Sequence, residues 1–368
     1  MRRYLLTLAL CACGSSPPLS STFDAGPLPP ATKLPFDASP GPDDELDAAL
    51  SVGPTCAPGT VRVIASTALL DGPRLDDAWV YWTVGEPGGD SSQGYWWNDV
   101  EAIHRADKLG ASSTRLFSTD SFVSRPSSTE FAIDAAHAYW VDNHEGYAFG
   151  DVVRGDKDGS NATALVAGIE VPHDLKLAGE TLFFVSGTSL LSIDVDGTNE
   201  RPITENWTPS EWVVGAASID AIVNGEPVRI ARTGGASEPL LLSPAAGVKY
   251  EGLSIGADGY VYAVALDDKD HFISSGSVVR IPTDRGTPTP VGSPFTTNAP
   301  DTISFYTAVD GNCVYFTTTE GVFQQCEGGA RAIGAGPASA PPVIDSTSVY
   351  WAAEAPDGTA TIYAWCKD

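Results

Sequence analysis

Between Phe131 and Leu165 the chain places four short apolar runs, Phe131 to Asp134, Ala138 to Val141, Asp151 to Arg154 and Ala162 to Val166, between turn-forming residues. Runs this short, carrying β-branched and aromatic side chains and bounded by Gly, Asp and Asn, predict strands rather than helices. The last boundary, Asp158-Gly159, is a hairpin signal. The stretch reads as one four-stranded antiparallel unit. The same pattern returns along nearly the whole chain, which predicts an all-β repeat protein, a β-propeller of four-stranded antiparallel blades.

The second strand of each unit has an apolar-aromatic signature: Val80-Tyr81-Trp82-Thr83, Ala138-Tyr139-Trp140-Val141, Leu182-Phe183-Phe184-Val185, Val261-Tyr262-Ala263-Val264, Val314-Tyr315-Phe316-Thr317 and Val349-Tyr350-Trp351-Ala352. A weaker unit lies between Trp212 and Leu242, where strand character persists without the aromatic. Third strands recur too, among them Ala102 to Arg105, Asp151 to Arg154, Val278 to Ile281 and Ile362 to Trp365. The turn residues that follow, Asp158-Gly159, Asp196-Gly197, Gly234-Gly235, Arg285-Gly286 and Gly328-Gly329, fit two-residue hairpin loops. The final unit lacks a fourth strand, whereas Thr60 to Ser66 is a strand without a unit. Placing one beside the other closes a ring and leaves no end blade exposed. Seven blades follow, or six if the weak unit is an insertion.

Nine Trp, twelve Tyr and thirteen Phe with one Met, 37 Gly and 28 Pro suit strands and turns. A net charge of −26 without a Lys/Arg cluster beyond Arg2-Arg3 argues against nucleic acid as a partner. At the start, Met1-Arg2-Arg3 and the apolar Tyr4 to Ala12 read as an export signal over residues 1–12, too short to span a bilayer permanently. Leu10-Cys11-Ala12-Cys13 resembles the bacterial lipobox, which makes Cys13 the lipidated residue. Residues 13–54, rich in Pro, Ser, Ala and Asp, read as a tether that cannot bury enough surface to fold. Residues 55–368 form the propeller domain.

The Tyr-Trp signature, the Arg-containing third strand and Asp-x-Asp-Gly-Ser-Asn at Asp156 to Asn161 resemble the Tyr-Trp-Thr-Asp type of β-propeller repeat. They also resemble the propeller-like lipoproteins of myxobacteria and related high-GC bacteria. The resemblance covers Cys56 to Asp368 and implies the fold far more than an activity.

Four cysteines remain beyond the signal region, and export favours their oxidation. Cys313 begins a second strand and Cys326 ends the adjacent third, so they lie opposite each other. Cys366 holds the place of Cys326 in the last unit, Ser348 stands where its partner would be, and Cys56 precedes the ring-closing strand. The pairs predicted are Cys313 with Cys326 and Cys56 with Cys366. The spacing offers no zinc site. The Asp-x-Asp-Gly-x-Asn segments at Asp156 and Asp194 lack the distal ligands of a calcium loop and read as turns, so no metal and no cofactor is expected.

His104, His137, His144, His173 and His271 are scattered, with no pair at i+4 and no nucleophile motif. The candidates for chemistry are His144 and His271, on loops between second and third strands, with Asp268 as a carboxylate partner. In a propeller those loops share a face with the connections between blades, at the mouth of the central channel. The same face gathers Tyr95, Trp96, Trp97, Tyr147 and Phe272 as candidate binding residues for a protein or glycan. The function expected is that of an exported, lipid-anchored binding module of a bacterial cell envelope, monomeric and held to the membrane by lipid alone. Two alternatives stay open: a hydrolase or lyase at the channel mouth, and a structural envelope component.

Overall fold

The computed structural model describes residues 56–67, 69–85, 100–110, 113–118, 131–143, 149–242, 247–267, 274–297, 305–318, 320–326, 329–336, 338–354 and 359–367. They form seven antiparallel sheets. The strand β1 (Val61–Thr67) comes first in the chain and is used last in the architecture. Blade 1 is β2 (Leu69–Leu75), β3 (Trp79–Gly85), β4 (Val100–Asp107) and β5 (Ser113–Ser118). Blade 2 is β6 (Phe131–Ile133), β7 (His137–Asn143), β8 (Phe149–Asp156) and β9 (Thr163–Glu170). Blade 3 is β10 (Pro172–Ala178), β11 (Thr181–Ser186), β12 (Ser189–Asp194) and β13 (Arg201–Thr204). Blade 4 is β14 (Glu211–Val214), β15 (Ser218–Val223), β16 (Glu226–Ala231) and β17 (Glu238–Pro239). Blade 5 is β18 (Val248–Ile255), β19 (Val261–Asp267), β20 (Ser274–Ile281) and β21 (Thr289–Pro290), with β22 (Phe295–Thr297) also on β20. Blade 6 is β23 (Thr307–Asp310), β24 (Cys313–Thr317), β25 (Gly321–Cys326) and β26 (Gly329–Ala335). Blade 7 is β27 (Val343–Ile344), β28 (Ser348–Glu354) and β29 (Ala360–Cys366), completed by β1.

The seven-blade expectation holds, the weak fourth unit is a true blade, and the N-terminal strand closes the ring by pairing with β29, Val61 opposite Trp365 and Thr67 opposite Ala360. Each first strand touches the first strand of the next blade, and the circuit β2–β6–β10–β14–β18–β23–β27 returns to β2. First strands are therefore innermost, around the axis.

Seven apolar clusters fill the seven interfaces between blades. The Tyr-Trp signature follows from this packing. Adjacent strand residues face opposite sides of a sheet, so Tyr81 enters the interface with blade 2 while Trp82 enters the one with blade 7. Tyr139 and Trp140 divide in the same way between blades 3 and 1.

The turns joining strands one to two and three to four lie on one face, and repeated polar contacts tie blade to blade there. Asp76 accepts hydrogen bonds from the backbone N–H of Ala78 and Trp79, from the Tyr81 hydroxyl at 2.7 Å and from Lys157 of blade 2 at 2.7 Å. Asp345 repeats the arrangement with Thr347, Ser348, Tyr350 and Lys108 of blade 1. Burial alone would raise Asp76 and Asp345, but these donors outweigh it and hold both at about 2. In the other direction, Arg105 donates to the Lys157 carbonyl and Arg154 to the Val195 carbonyl, each one blade onward.

Blade 4 departs from the signature because Asp220 takes the tyrosine's place. It is fully buried opposite Arg229, whose Nε and Nη2 donate to its two oxygens at 2.6 and 2.9 Å. A forked ion pair thus replaces the hydroxyl–carboxylate bond.

The turns between third and fourth strands correct an expectation. Arg154 pairs with Thr163, Ser192 with Arg201, Arg229 with Glu238 and Arg280 with Thr289, so in blades 2 to 5 these connections are longer than two residues. Polar side chains build them: Asp158 Oδ1 accepts from the N–H and hydroxyl of Ser160, and Asn161, at φ 55°, donates to Asp156. Asp196, Thr198, Asn199 and Asp194 repeat this in blade 3. A two-residue turn with both positions at positive φ sits instead at Asn224-Gly225, φ 54° and 78°, between second and third strands.

Both disulfides form as expected. Cys56 joins Cys366 with a Cα–Cα distance of 5.6 Å, and Cys313 joins Cys326 at 4.4 Å.

Candidate functional site at the channel mouth

Connections between second and third strands, and from each blade to the next, occupy the other face. Tyr95, Trp96, Trp97, His144, Tyr147, Asp268, His271 and Phe272 belong to these connections and lie outside the described residues, as does Cys13. The described residues nevertheless define where the connections leave the ring and what lines the channel beneath them.

The upper ends of the first strands carry a set of related positions. Asp71 pairs with Thr83, His173 with Val185, Glu211 with Ile222 and Glu251 with Val264, each two residues beyond the signature position of its second strand. In blades 1, 3 and 5 the register slips below this position, between Asp71 and Arg74, His173 and Lys176, and Glu251 and Ser254. Such a bulge inserts a residue, turns backbone groups out of the ladder and leaves them in need of partners.

Glu211 supplies those partners for blade 5. Its Oε2 accepts from Gly252 N–H and its Oε1 from Leu253 N–H, both at 2.7 Å. Gly252 sits at φ 69° with the carbonyl of Phe305 so near that an added Cβ would lie 3.0 Å from it, so glycine is required there. The Glu211 carboxylate is enclosed although the residue keeps part of its surface open. Burial pushes it up to about 7 against the opposing pull of the two N–H groups and Lys176. Burial also raises Glu251, which faces the Phe305 N–H of blade 6.

His173 occupies the corresponding position in blade 3. Its Nδ1 lies 2.9 Å from the Val171 carbonyl, a contact that fixes Nδ1 as the protonated nitrogen. Val171 alone connects β9 to β10 and adopts φ 40°. A β-branched residue in that region is strained. Three residues later Asp174 also has positive φ, 57°. This one-residue crossing sets His173 at the rim.

The other described histidines stand elsewhere. His104 lies beside Trp82, ring centroids 6.0 Å apart. His137 approaches Asp134 at 3.5 Å and Asp156 at 3.6 Å, on the face of short turns. This histidine–carboxylate contact is separate from the expected pairing of His144 or His271 with Asp268, which lies outside the described residues.

Sequence reasoning passed over Glu211 and Glu251, and it named His173 without giving it a place at the site. The signal was weak: first strands are short, and each bulge shifts the count from rim to signature by one residue.

No family model matches the chain, and no curated protein matches it. Solved structures do. The β-propeller domain of the Trilobed protease from Pyrococcus furiosus, described as having an open velcro topology, is 10% identical with a TM-score of 0.51, over 82% of this chain and 95% of that one. The extracellular domain of a B. thetaiotaomicron one-component system is 10% identical with a TM-score of 0.51, over 82% of this chain and 39% of that one. The nidogen/laminin complex matches at 15% identity and a TM-score of 0.42, over 63% and 88%. At these identities the first two likenesses bear on the fold alone, and they agree with the strand order: the chain is an all-β, seven-bladed propeller.

Proposed function

We propose that this protein is an exported, non-catalytic binding module, lipid-anchored through Cys13 at a bacterial cell envelope, whose loop face receives a protein or glycan. The observation that carries this reading is the division of labour between the two faces. One face spends its polar side chains on bonds between blades. The other carries the long, unequal connections, and it exposes Phe149 by 54% and Leu242 by 75%. Phe149 opens a third strand and Leu242 follows a fourth, so both stand on the outer part of this face, where open apolar side chains are available to a partner. The two disulfides agree with export. The enzyme alternative rests on His144, His271 and Asp268, which lie outside the described residues, and Glu211 adds nothing to it, since each of its oxygens already accepts a backbone N–H of the neighbouring blade.

The test is a binding screen of the chain without residues 1–13 against envelope glycans and cell-surface extract, beside a Trp96→Ala, Trp97→Ala variant. Saturable binding that the variant loses supports the module. Turnover of an envelope substrate that His271→Ala abolishes would replace it with the enzyme.

A further inference from the structure

Charge is segregated between the two faces. The described cations gather toward the short turns, where Lys108, Lys157 and Lys367 reach back to the preceding blade, and Arg105, Arg154 and Arg229 reach forward. The loop face keeps exposed carboxylates at Glu170, Glu205, Glu226, Glu320 and Glu354. Among the described residues on its connections and adjoining strand ends, Lys249 is the one cation. Turn-face carboxylates thus have cations beside them, whereas the described loop-face carboxylates have few.

An anionic face with open apolar side chains selects its occupant. It repels anionic glycans and lipid headgroups, and it attracts basic side chains at rates and affinities that fall with salt. Phe149 and Leu242 add contacts that charge alone does not provide. We infer that the partner received by the loop face is a basic protein segment, in which Lys or Arg residues alternate with apolar anchors. This deepens the binding-module reading and rests on it.

The test uses the chain without residues 1–13 and a fluorescent peptide of alternating Lys and Leu, with an N-acetylglucosamine oligomer as the neutral ligand, followed by anisotropy or competition at low and physiological salt. Three variants are compared. The first removes loop-face charge, with Glu205→Gln, Glu226→Gln, Glu320→Gln and Glu354→Gln. The second removes apolar contact, with Phe149→Ser and Leu242→Ser. The third removes as many exposed charges from the turn face, with Asp77→Asn, Glu180→Gln, Glu200→Gln and Asp284→Asn. The expected result is peptide binding that weakens about tenfold in the first variant, weakens several-fold in the second with its salt dependence kept, and stays unchanged in the third. Equal loss in the first and third, or no loss in the second, overturns the inference, because diffuse charge would then explain the binding. Oligosaccharide binding without peptide binding also overturns it and leaves the binding module standing. Binding of neither ligand overturns both.

Discussion

The ring is closed by one strand and one disulfide, and their joint effect can be measured. Cys56 and Cys366 are 310 residues apart, Cys313 and Cys326 only 13. In the chain-entropy relation these separations correspond to about 5.7 and about 3 kcal/mol of restriction on the unfolded chain. Replacing Cys56 and Cys366 by Ser should therefore cost about 3 kcal/mol more than replacing Cys313 and Cys326 by Ser, read from urea unfolding followed by tryptophan fluorescence. The loss should also have a local component. Without the disulfide, β1 is held by its ladder to β29 and by Ile64 packed against Val80 and Ile362. Its amide hydrogens should then exchange well before those of β28, which lies between two strands. Equal stability of the two double variants, or β1 amides protected as long as those of β28, would refute the claim that this crosslink closes the ring.

Three further outcomes are expected. Asp220→Ala strands Arg229 in blade 4 and should cost about 3 to 5 kcal/mol, while Asp220→Leu with Arg229→Met should recover most of that; equal midpoints for the single and double variants in urea would contradict the ion-pair account. Glu211 is raised from 4.5 to about 7, so between those values the folded chain holds a proton that the unfolded chain has released, and stability should fall as pH rises through that window. The charged groups acting on it are Lys176 and Glu251, and Glu211→Gln should flatten the decline while lowering stability through the acceptor it loses; an unchanged slope in urea titrations across the window would exclude Glu211 as its source. Gly155→Ala would set a methyl 2.6 Å from two ring carbons of Phe117 and 3.1 Å from Trp140, and should cost about 1 to 3 kcal/mol in the same assay; a neutral result would mean that the interface between blades 1 and 2 yields easily.

The ring was legible because its core is periodic. Tyr81 and Trp82 had to face opposite interfaces, and the same demand recurs in most blades, so the aromatic pair stood out. The fourth blade was faint for a definite reason: what the position opposite the third-strand arginine requires is a hydroxyl–carboxylate bond or a direct ion pair, and Asp220 meets it without an aromatic ring. The Asp placed five residues before Tyr81, Tyr139 and Tyr350 was equally readable, since each carboxylate caps the turn and accepts the tyrosine hydroxyl. It escaped notice because Asp in a turn already has an ordinary explanation. Asp158-Gly159 suggested a two-residue hairpin for a similar reason, as side-chain bonds from Asp158 and Asn161 support a longer loop around the same dipeptide.

The rim resisted reading because its residues depend on neighbours in other blades. Glu211 matters through the N–H groups of Gly252 and Leu253, about forty residues away, which a bulge has freed; no local pattern announces that need. The same separation explains how the face can carry function. Stability resides in seven apolar interfaces, in the bonds among short turns and in the few contacts that Glu211 and Glu251 make between blades at the rim. Exposed positions such as Glu205, Glu226 and Leu242 take little part in either, so their side chains can be chosen for a partner at small cost to folding. If that is correct, the loop-face variants that abolish binding will unfold at the same urea concentration as the unaltered chain. A shift comparable to that of Asp220→Ala would mean that the two faces share the work of holding the ring.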